Sequence, residues 1–402
     1  MATGTAQKTT KTQQQQQPPA YSQLQARLAL LEKQLNAQFL ERTDLVRVML
    51  AMLIGKKNLF AGGAPGTGKT MLAKTIADRF KVSNFYYLVG AQTEPSHVLG
   101  PIDLRAMQED QEFKHDLAGM MADSHLVILD EGFKGSTPFL NALLGLTLDR
   151  GIQNGRTWHE SPLMSTVVCS NELPTSDKLS AFWDRLSLRV WVKDVCWANR
   201  EMLMLRAAGL EKTPQVTEGF SLAELILMQR EAQSLPVSRD SIILANQVCQ
   251  QVGDLGVNSS TRKSVEIVSL MRAYAYVEGA QEVDESHTEI LKFVLWNTTP
   301  QIDIIRDKVS ALIEECYQDM QEDLHSVKTL IDHAHGLPLS NQEVRKNHFE
   351  GVDVRLLEVL DRFNKSLQKA APRSRRATNI KKAIAYLQDI RVKQVIPVLS
   401  LL

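Results

Sequence analysis

The chain has 402 residues, 46 Lys plus Arg and 46 Asp plus Glu, so its formal charge is zero. That length suits two or three domains, and the even charge points to no polyanionic partner. There is no run of about 18 apolar residues and no apolar signal core at the N-terminus; the expectations are no membrane span, no secretory signal and a cytoplasmic protein.

The first segment, Met1 to Ala20, is polar and carries the run Gln13 to Gln17 followed by Pro18-Pro19. It reads as a disordered tail. From Tyr21 to Gly55, Leu24, Leu28, Leu31 and Leu35, then Leu45, Val48, Met49 and Met52, recur at helical spacing. Two helices are predicted there, either covering a bound base or packing on a sheet.

A short apolar strand, Lys57 to Gly62, then leads into Gly63-Ala64-Pro65-Gly66-Thr67-Gly68-Lys69-Thr70, and Met71 to Ala77 opens a helix. This is the form G-x-x-x-x-G-K-[ST] in its required strand–turn–helix setting. The glycines let backbone N–H groups wrap a polyphosphate, and the new helix N-terminus adds partial positive charge. Lys69 is placed for the β- and γ-phosphates of ATP, and the Thr70 hydroxyl for Mg²⁺.

Phe85 to Val89 reads as the next strand, and Glu94-Pro95-Ser96 as a turn into a short helix ended by Gly100-Pro101. Ile102 to Leu117 reads as a hairpin-like insertion. His97 and His115 stand alone and read as surface or packing residues. His125 to Asp130 is a continuous apolar run ending in the pair Asp130-Glu131, as a buried parallel strand would at a ligand-binding sheet edge. Neighbouring strand residues point to opposite sides. Asp130 is therefore expected beside Mg²⁺, and Glu131 is expected to polarise the attacking water. A water-polarising acid favours hydrolysis over phosphoryl transfer to a metabolite.

A leucine-rich helix, Thr137 to Leu148, and a two-stranded ribbon around Asp149 to Arg156 follow. Ser165 to Asn171 is another buried strand. Asn171 at its tip can hold the lytic water, contact the γ-phosphate, or cap the strand. From Asn199 the strands stop. Glu201–Ala208, Leu222–Ser234, Arg239–Val252 and Thr261–Gly279 read as helices of a lid. Ser259 or Ser260 caps the last of them. Val309 to Leu402 reads as polar and helical, with turns at Gly336-Leu337-Pro338 and Gly351. Its stretch Arg362 to Lys393 is basic (Lys365, Lys369, Arg373, Arg375, Arg376, Lys381, Lys382) with few aromatics, so a subunit or partner contact is favoured over nucleic acid. Cys169, Cys196, Cys249 and Cys316 are far apart, show no C-x-x-C, and read as reduced, mostly buried thiols of a cytosolic protein, not as a disulfide set or a zinc site.

Taken in order, G-A-P-G-T-G-K-T, L-V-I-L-D-E, V-V-C-S-N-E-L-P and F-W-D-R-L-S-L-R resemble the AAA+ ATPases. Leu40-Glu41-Arg42, Val98 to Pro101, Asp130 to Lys134, Leu140 to Leu144, Asn154-Gly155 and Ser170 to Pro174 resemble the MoxR branch and its RavA-like subfamily. The likeness covers roughly residues 24 to 300. It implies an α/β fold: a P-loop AAA+ module of parallel sheet flanked by helices (23–198) after a Gln-rich tail (1–22), an all-α lid (199–299) and a helical C-terminal extension (300–402). It implies that Asn171 is the sensor 1 residue and that Arg185, with Arg189 as second candidate, is the finger reaching a neighbouring subunit's ATP. It further implies that Arg262, as sensor 2, reaches the phosphates from the lid. The activity implied is Mg²⁺-dependent ATP hydrolysis by a ring, a hexamer by analogy, that remodels a protein partner with a von Willebrand factor A-type domain. The rival readings are a DNA-directed motor or loader, a nucleotide-gated scaffold with negligible turnover, and an activator of one metabolic enzyme.

Overall fold

A computed structural model describes residues 20–174, 179–257, 260–337, 342–370 and 375–401. Two helices come first, α1 (Ala20–Gln38) and α2 (Thr43–Gly55). Every residue of α2 from Leu45 to Gly55 except Arg47 is buried. A helix apolar on all sides must be enclosed on all sides, and α2 lies between the sheet and the later helices. Seven strands and five helices follow: β1 (Leu59–Gly63), α3 (Lys69–Arg79), β2 (Asn84–Leu88), α4 (Ser96–Leu99), α5 (Leu104–Glu109), β3 (Leu126–Asp130), α6 (Thr137–Asp149), β4 (Gly151–Asn154), β5 (Thr157–Glu160), β6 (Ser165–Ser170), α7 (Ser180–Arg185) and β7 (Leu188–Val192).

Five strands form one parallel sheet in the order β2-β3-β6-β1-β7. Leu59 of β1 pairs with Val167 of β6 on one side and Leu188 of β7 on the other. The central strands β1 and β6 are buried along their whole length, and β3 is buried up to its last residue. That explains their unbroken apolar runs. Antiparallel β4 and β5 make the predicted ribbon.

The helical half comprises α8 (Trp197–Ala207), α9 (Leu222–Ser234), α10 (Arg239–Gly253), α11 (Thr261–Glu278), a 3-10 segment Glu285–Phe293 and α12 (Thr299–Glu315). α9 and α11 pack on α2, behind the sheet. One hydrophobic core runs without interruption from Leu24 through the sheet and these helices to Leu312, Ile313 and Tyr317. Its apolar contacts thus continue past residue 299, where the extension was expected to begin. A second core joins α13 (Gln318–Gly336), α14 (Gln342–Lys369), α15 (Arg375–Ile390), a π turn at Arg391–Val395 and α16 (Ile396–Leu401). Arg376 of α15 ties this bundle to the 3-10 segment, 3.5 Å from Glu285 and 3.7 Å from Asp284.

Some expectations change. The tail falls in residues 1–19, outside the described residues, except that α1 already begins at Ala20. Ile102–Leu117 is no plain hairpin. An isolated bridge, Ile102 to His115, closes it, but its body is α5, because the Asp103 carboxylate caps Arg105 and Ala106 N–H and Leu104–Glu109 are good helix formers. Gly351 makes no turn; it lies inside α14. Pro338 and Arg373 lie outside the described residues. The four thiols are not mostly buried: only Cys169 is, and Cys196 and Cys316 are exposed. Among the described residues no helix is long and apolar enough to cross a membrane, and no group of three or more His, Cys, Asp and Glu could hold a metal ion.

Candidate active site

The phosphate loop leaves the C-terminal end of β1 and enters α3 at Lys69. Gly63 is required by contact: at φ 133° a Cβ there would meet Val192 O at 2.2 Å. Gly68, at φ 83°, is in the left-handed region that L-side chains avoid. The Lys69 ammonium folds onto the loop, donating to Gly63 O (2.7 Å), Ala64 O (2.9 Å) and Thr67 Oγ1 (3.2 Å). Burial holds it below the usual lysine range. From behind, the buried Arg42 donates from Nε to Thr67 O at 2.9 Å.

β3 and β6 bring the other groups to the same edge. Thr70 Oγ1 lies 3.0 Å from Asp130 Oδ2. Such a pair of oxygen ligands suits a hard cation of the Mg²⁺ type. Glu131 differs from expectation. The strand ends at Asp130, and Glu131 turns into the left-handed region at φ 55°, so it is not pointed to the opposite side. Both acids line one cleft of about 340 Å³ together with Pro65 to Met71, Leu88 and Asn171. Asn171 Nδ2 donates to Glu131 Oε1 at 2.6 Å, and Lys134 Nζ sits 3.3 Å from Glu131 Oε2. Cys169 lies just behind, its thiol pushed up to about 12 by burial and therefore neutral.

Gly63 to Thr70, Asp130, Glu131 and Asn171 therefore converge. Arg185 and Arg262 do not join them. Both line a second, polar pocket of about 150 Å³. There Lys56, Lys57, Arg150, Arg185, Arg262 and Lys263 face only two carboxylates, Asp184 and Glu266. Asn58 and Arg185 stand just before β1 and β7, so this pocket is at the N-terminal edge of the strands. About 15 Å of strand, at roughly 3.3 Å per residue, separates it from the phosphate loop. Arg262, expected to reach the phosphates from the lid, thus lies away from the phosphate loop of the same chain. The cause is α11, whose packing on α2 carries its Ser260-capped start beside Lys56 to Asn58.

Arg189 has a different fate. It is 1% exposed, stacks 4.2 Å from the Trp183 ring, and donates to Leu186 O, Trp183 O, Trp296 O and Asn297 Oδ1. Four of its five N–H donors are bonded inside the protein, so it is a structural guanidinium. Sequence reasoning gave no role to Arg42, Arg150, Lys134 or Lys263. Arg42 and Lys134 stand in motifs that resemble the MoxR branch, and Lys134 meets Glu131 three residues away, but Arg150 and Lys263 meet the second pocket only through the fold.

A family model for the MoxR domain in the MoxR-vWA-beta-propeller ternary systems matches residues 26–230, and one for the AAA lid domain matches residues 242–309. Two uncharacterised proteins of Methanocaldococcus jannaschii are similar. One is 27% identical over 67% of this chain and 71% of its own length. The other is 25% identical over 77% and 80%. The fold matches the crystal structure of an ATPase candidate from Cytophaga hutchinsonii at a TM-score of 0.59 and 13% identity, covering 73% of this chain and 96% of that one. With the MoxR domain spanning half of the chain and holding the whole phosphate-loop cleft, and an AAA lid after it, the protein belongs to the MoxR family of AAA+ ATPases.

Proposed function

We propose that the protein is a Mg²⁺-dependent ATPase that works as a ring and spends hydrolysis on remodelling a protein partner. The observation that carries this reading is the separation of the two edges of one sheet. The phosphate loop, Asp130, Glu131 and Asn171 lie at one edge, and Arg185 and Arg262 at the other. Neither arginine can serve its own loop, so each finds its use on ATP held by a neighbouring copy.

At the first edge, Lys69 and the loop N–H groups from Gly63 to Thr70 hold the phosphates. Thr70 and Asp130 would hold Mg²⁺, whose chemistry there is to neutralise charge on the β- and γ-phosphate oxygens. Glu131 orients a water in line with the γ-phosphate and takes its proton. Asn171 bonds the Glu131 Oε1 and Lys134 stands 3.3 Å from Oε2, which accepts no hydrogen bond and so keeps acceptor capacity for the water. From the neighbour, Arg185 and Arg262 stabilise charge on the transferred phosphoryl group.

The partner reading rests on the family description, which names von Willebrand A and β-propeller proteins. A surface suited to a partner is formed by the α5 insertion and the β4–β5 ribbon. They expose Leu104, Phe113 and Trp158, and bonds between Asn154 and His115 lock them together. The DNA-directed reading has less support, because several C-terminal cations are already paired: Lys365 with Asp361, Arg391 with Asp353, Lys393 with Asp389. The RavA-like placement within the family rests on the motifs alone.

The test is turnover and nucleotide retention on two variants. Lys69→Ala should lose nucleotide binding. Glu131→Gln should bind ATP and keep it unhydrolysed, with kcat down at least about 10²-fold. Unchanged turnover in Glu131→Gln rejects the assignment.

A further inference from the structure

The second pocket contains one cation that the reading above leaves without work. Lys263 sits one residue after Arg262, on the first turn of α11, and is only 6% exposed. Among the described residues, no carboxylate or carbonyl accepts from its ammonium. Glu266, the acid one turn on, is engaged by Lys57 at 3.1 Å and by the Ser187 hydroxyl at 2.8 Å. Arg185 shares the want of a partner: its Nε is buried without a hydrogen bond. Asp184 and Glu266 attract the Lys263 ammonium across the pocket, but neither bonds it, and a mostly buried ammonium short of bonded acceptors is costly. Burial and the neighbouring Arg189 push the ammonium down to about 8, so it is still charged at neutral pH. The start of α11 adds the partial positive charge of its free N–H groups.

We infer that Lys263 is a third phosphate contact, reaching with Arg185 and Arg262 the ATP held by a neighbouring copy. The inference rests on the in-trans reading of Arg185. Its chemistry is that of a point charge deep in the pocket: the two guanidiniums reach outward with forked donors, and the ammonium fixes the oxygen that enters furthest.

The test uses the full chain and three variants: Lys263→Met, which keeps the stem and removes the charge, Lys263→Arg, which keeps the charge, and Arg185→Ala. Lys263→Met should lower kcat on the order of tenfold with ATP affinity unchanged, because the contact comes from the other copy. Its melting temperature should not fall, since an unpaired buried charge has gone. Lys263→Arg should recover much of the loss. Each defective variant is then mixed with Lys69→Ala and allowed to exchange subunits. Activity should return in both mixtures, since some interfaces pair an intact loop with an intact cation set. If Arg185→Ala is rescued and Lys263→Met is not, or if Lys263→Met turns over normally, the inference is overturned and the in-trans reading stands. If exchanged subunits rescue neither, the in-trans reading falls and the inference with it. A lowered melting temperature with no rescue by Lys263→Arg makes Lys263 structural and also overturns it.

Discussion

The two edges of the central sheet differ in the balance of their charges: Lys69 and Lys134 meet Asp130 and Glu131 at one, and six cations meet two acids at the other. At the phosphate-loop edge the groups meet one another: Lys69 has two carbonyls and a hydroxyl, Thr70 has Asp130, and Glu131 has Asn171 through Oε1 and Lys134 across 3.3 Å, although its Oε2 accepts no hydrogen bond. At the other edge, among the described residues, Arg185 Nε has no acceptor. The first edge is balanced in charge; the second carries an excess of cations.

The contrast breaks most visibly at Arg185. Arg185→Ala should lower kcat by about 10² to 10³ with little change in ATP affinity, because the contact matters most in the transition state. A loss of affinity instead, measured by nucleotide binding to the variant, would place Arg185 at its own loop and erase the distinction between the edges.

Arg189 sharpens the same contrast by reversing the readouts. Four of its five donors are used inside the protein. Arg189→Met should cost on the order of 2–4 kcal/mol of stability, by leaving buried carbonyls unpaired. Turnover per folded molecule should be nearly kept. Denaturant unfolding and ATP turnover on one preparation separate the outcomes; full stability with lost turnover would make Arg189 the finger.

The smallest effect comes from a charge cluster matched internally, between the α/β part and the lid. His287 Nε2 lies 3.6 Å from Glu278 Oε2, and Glu278 also faces Arg47 at 3.2 Å. Burial raises Glu278 to about 7, and His287 is also raised, its burial outweighed by Asp284 and Glu278 beside it. Both groups therefore hold protons more tightly folded than unfolded. Their stabilisation is complete below the unfolded values, near 4.5 and 6.5, and is lost as pH rises through about 7. Unfolding free energy should fall by roughly 1–3 kcal/mol between pH 5 and 8. Asp284, held down to about 2, adds no slope in that range. Glu278→Gln should flatten the curve; an unchanged slope would show that the proton resides elsewhere.

How far this was legible in the sequence depended on range. The loop, the acidic strand and Asn171 are local: a glycine pattern and two apolar runs are enough to put them at one sheet edge. Which way Glu131 points was not legible, because the strand stops one residue before it in a left-handed turn. Where Arg262 lies was not legible, since its position depends on α11 packing on α2, some two hundred residues earlier in the chain. Arg185 and Arg189 look alike in F-W-D-R-L-S-L-R, and only burial under Trp183 and Trp296 tells them apart. The helix in the Ile102–Leu117 insertion had a local signal, the Asp103 cap, which the charged Gln108-Glu109-Asp110-Gln111 stretch obscured.

The unbroken core from Leu24 to Tyr317 has a mechanical meaning. A helical cap fused to the sheet through α2 has no jaw of its own to shut on a nucleotide. Strain produced at one phosphate loop would then, on the proposed reading, leave as a rigid tilt against a neighbouring copy. On the proposed reading, the smallest engine is the seam between two copies, and a lone copy is an engine block without a crankshaft.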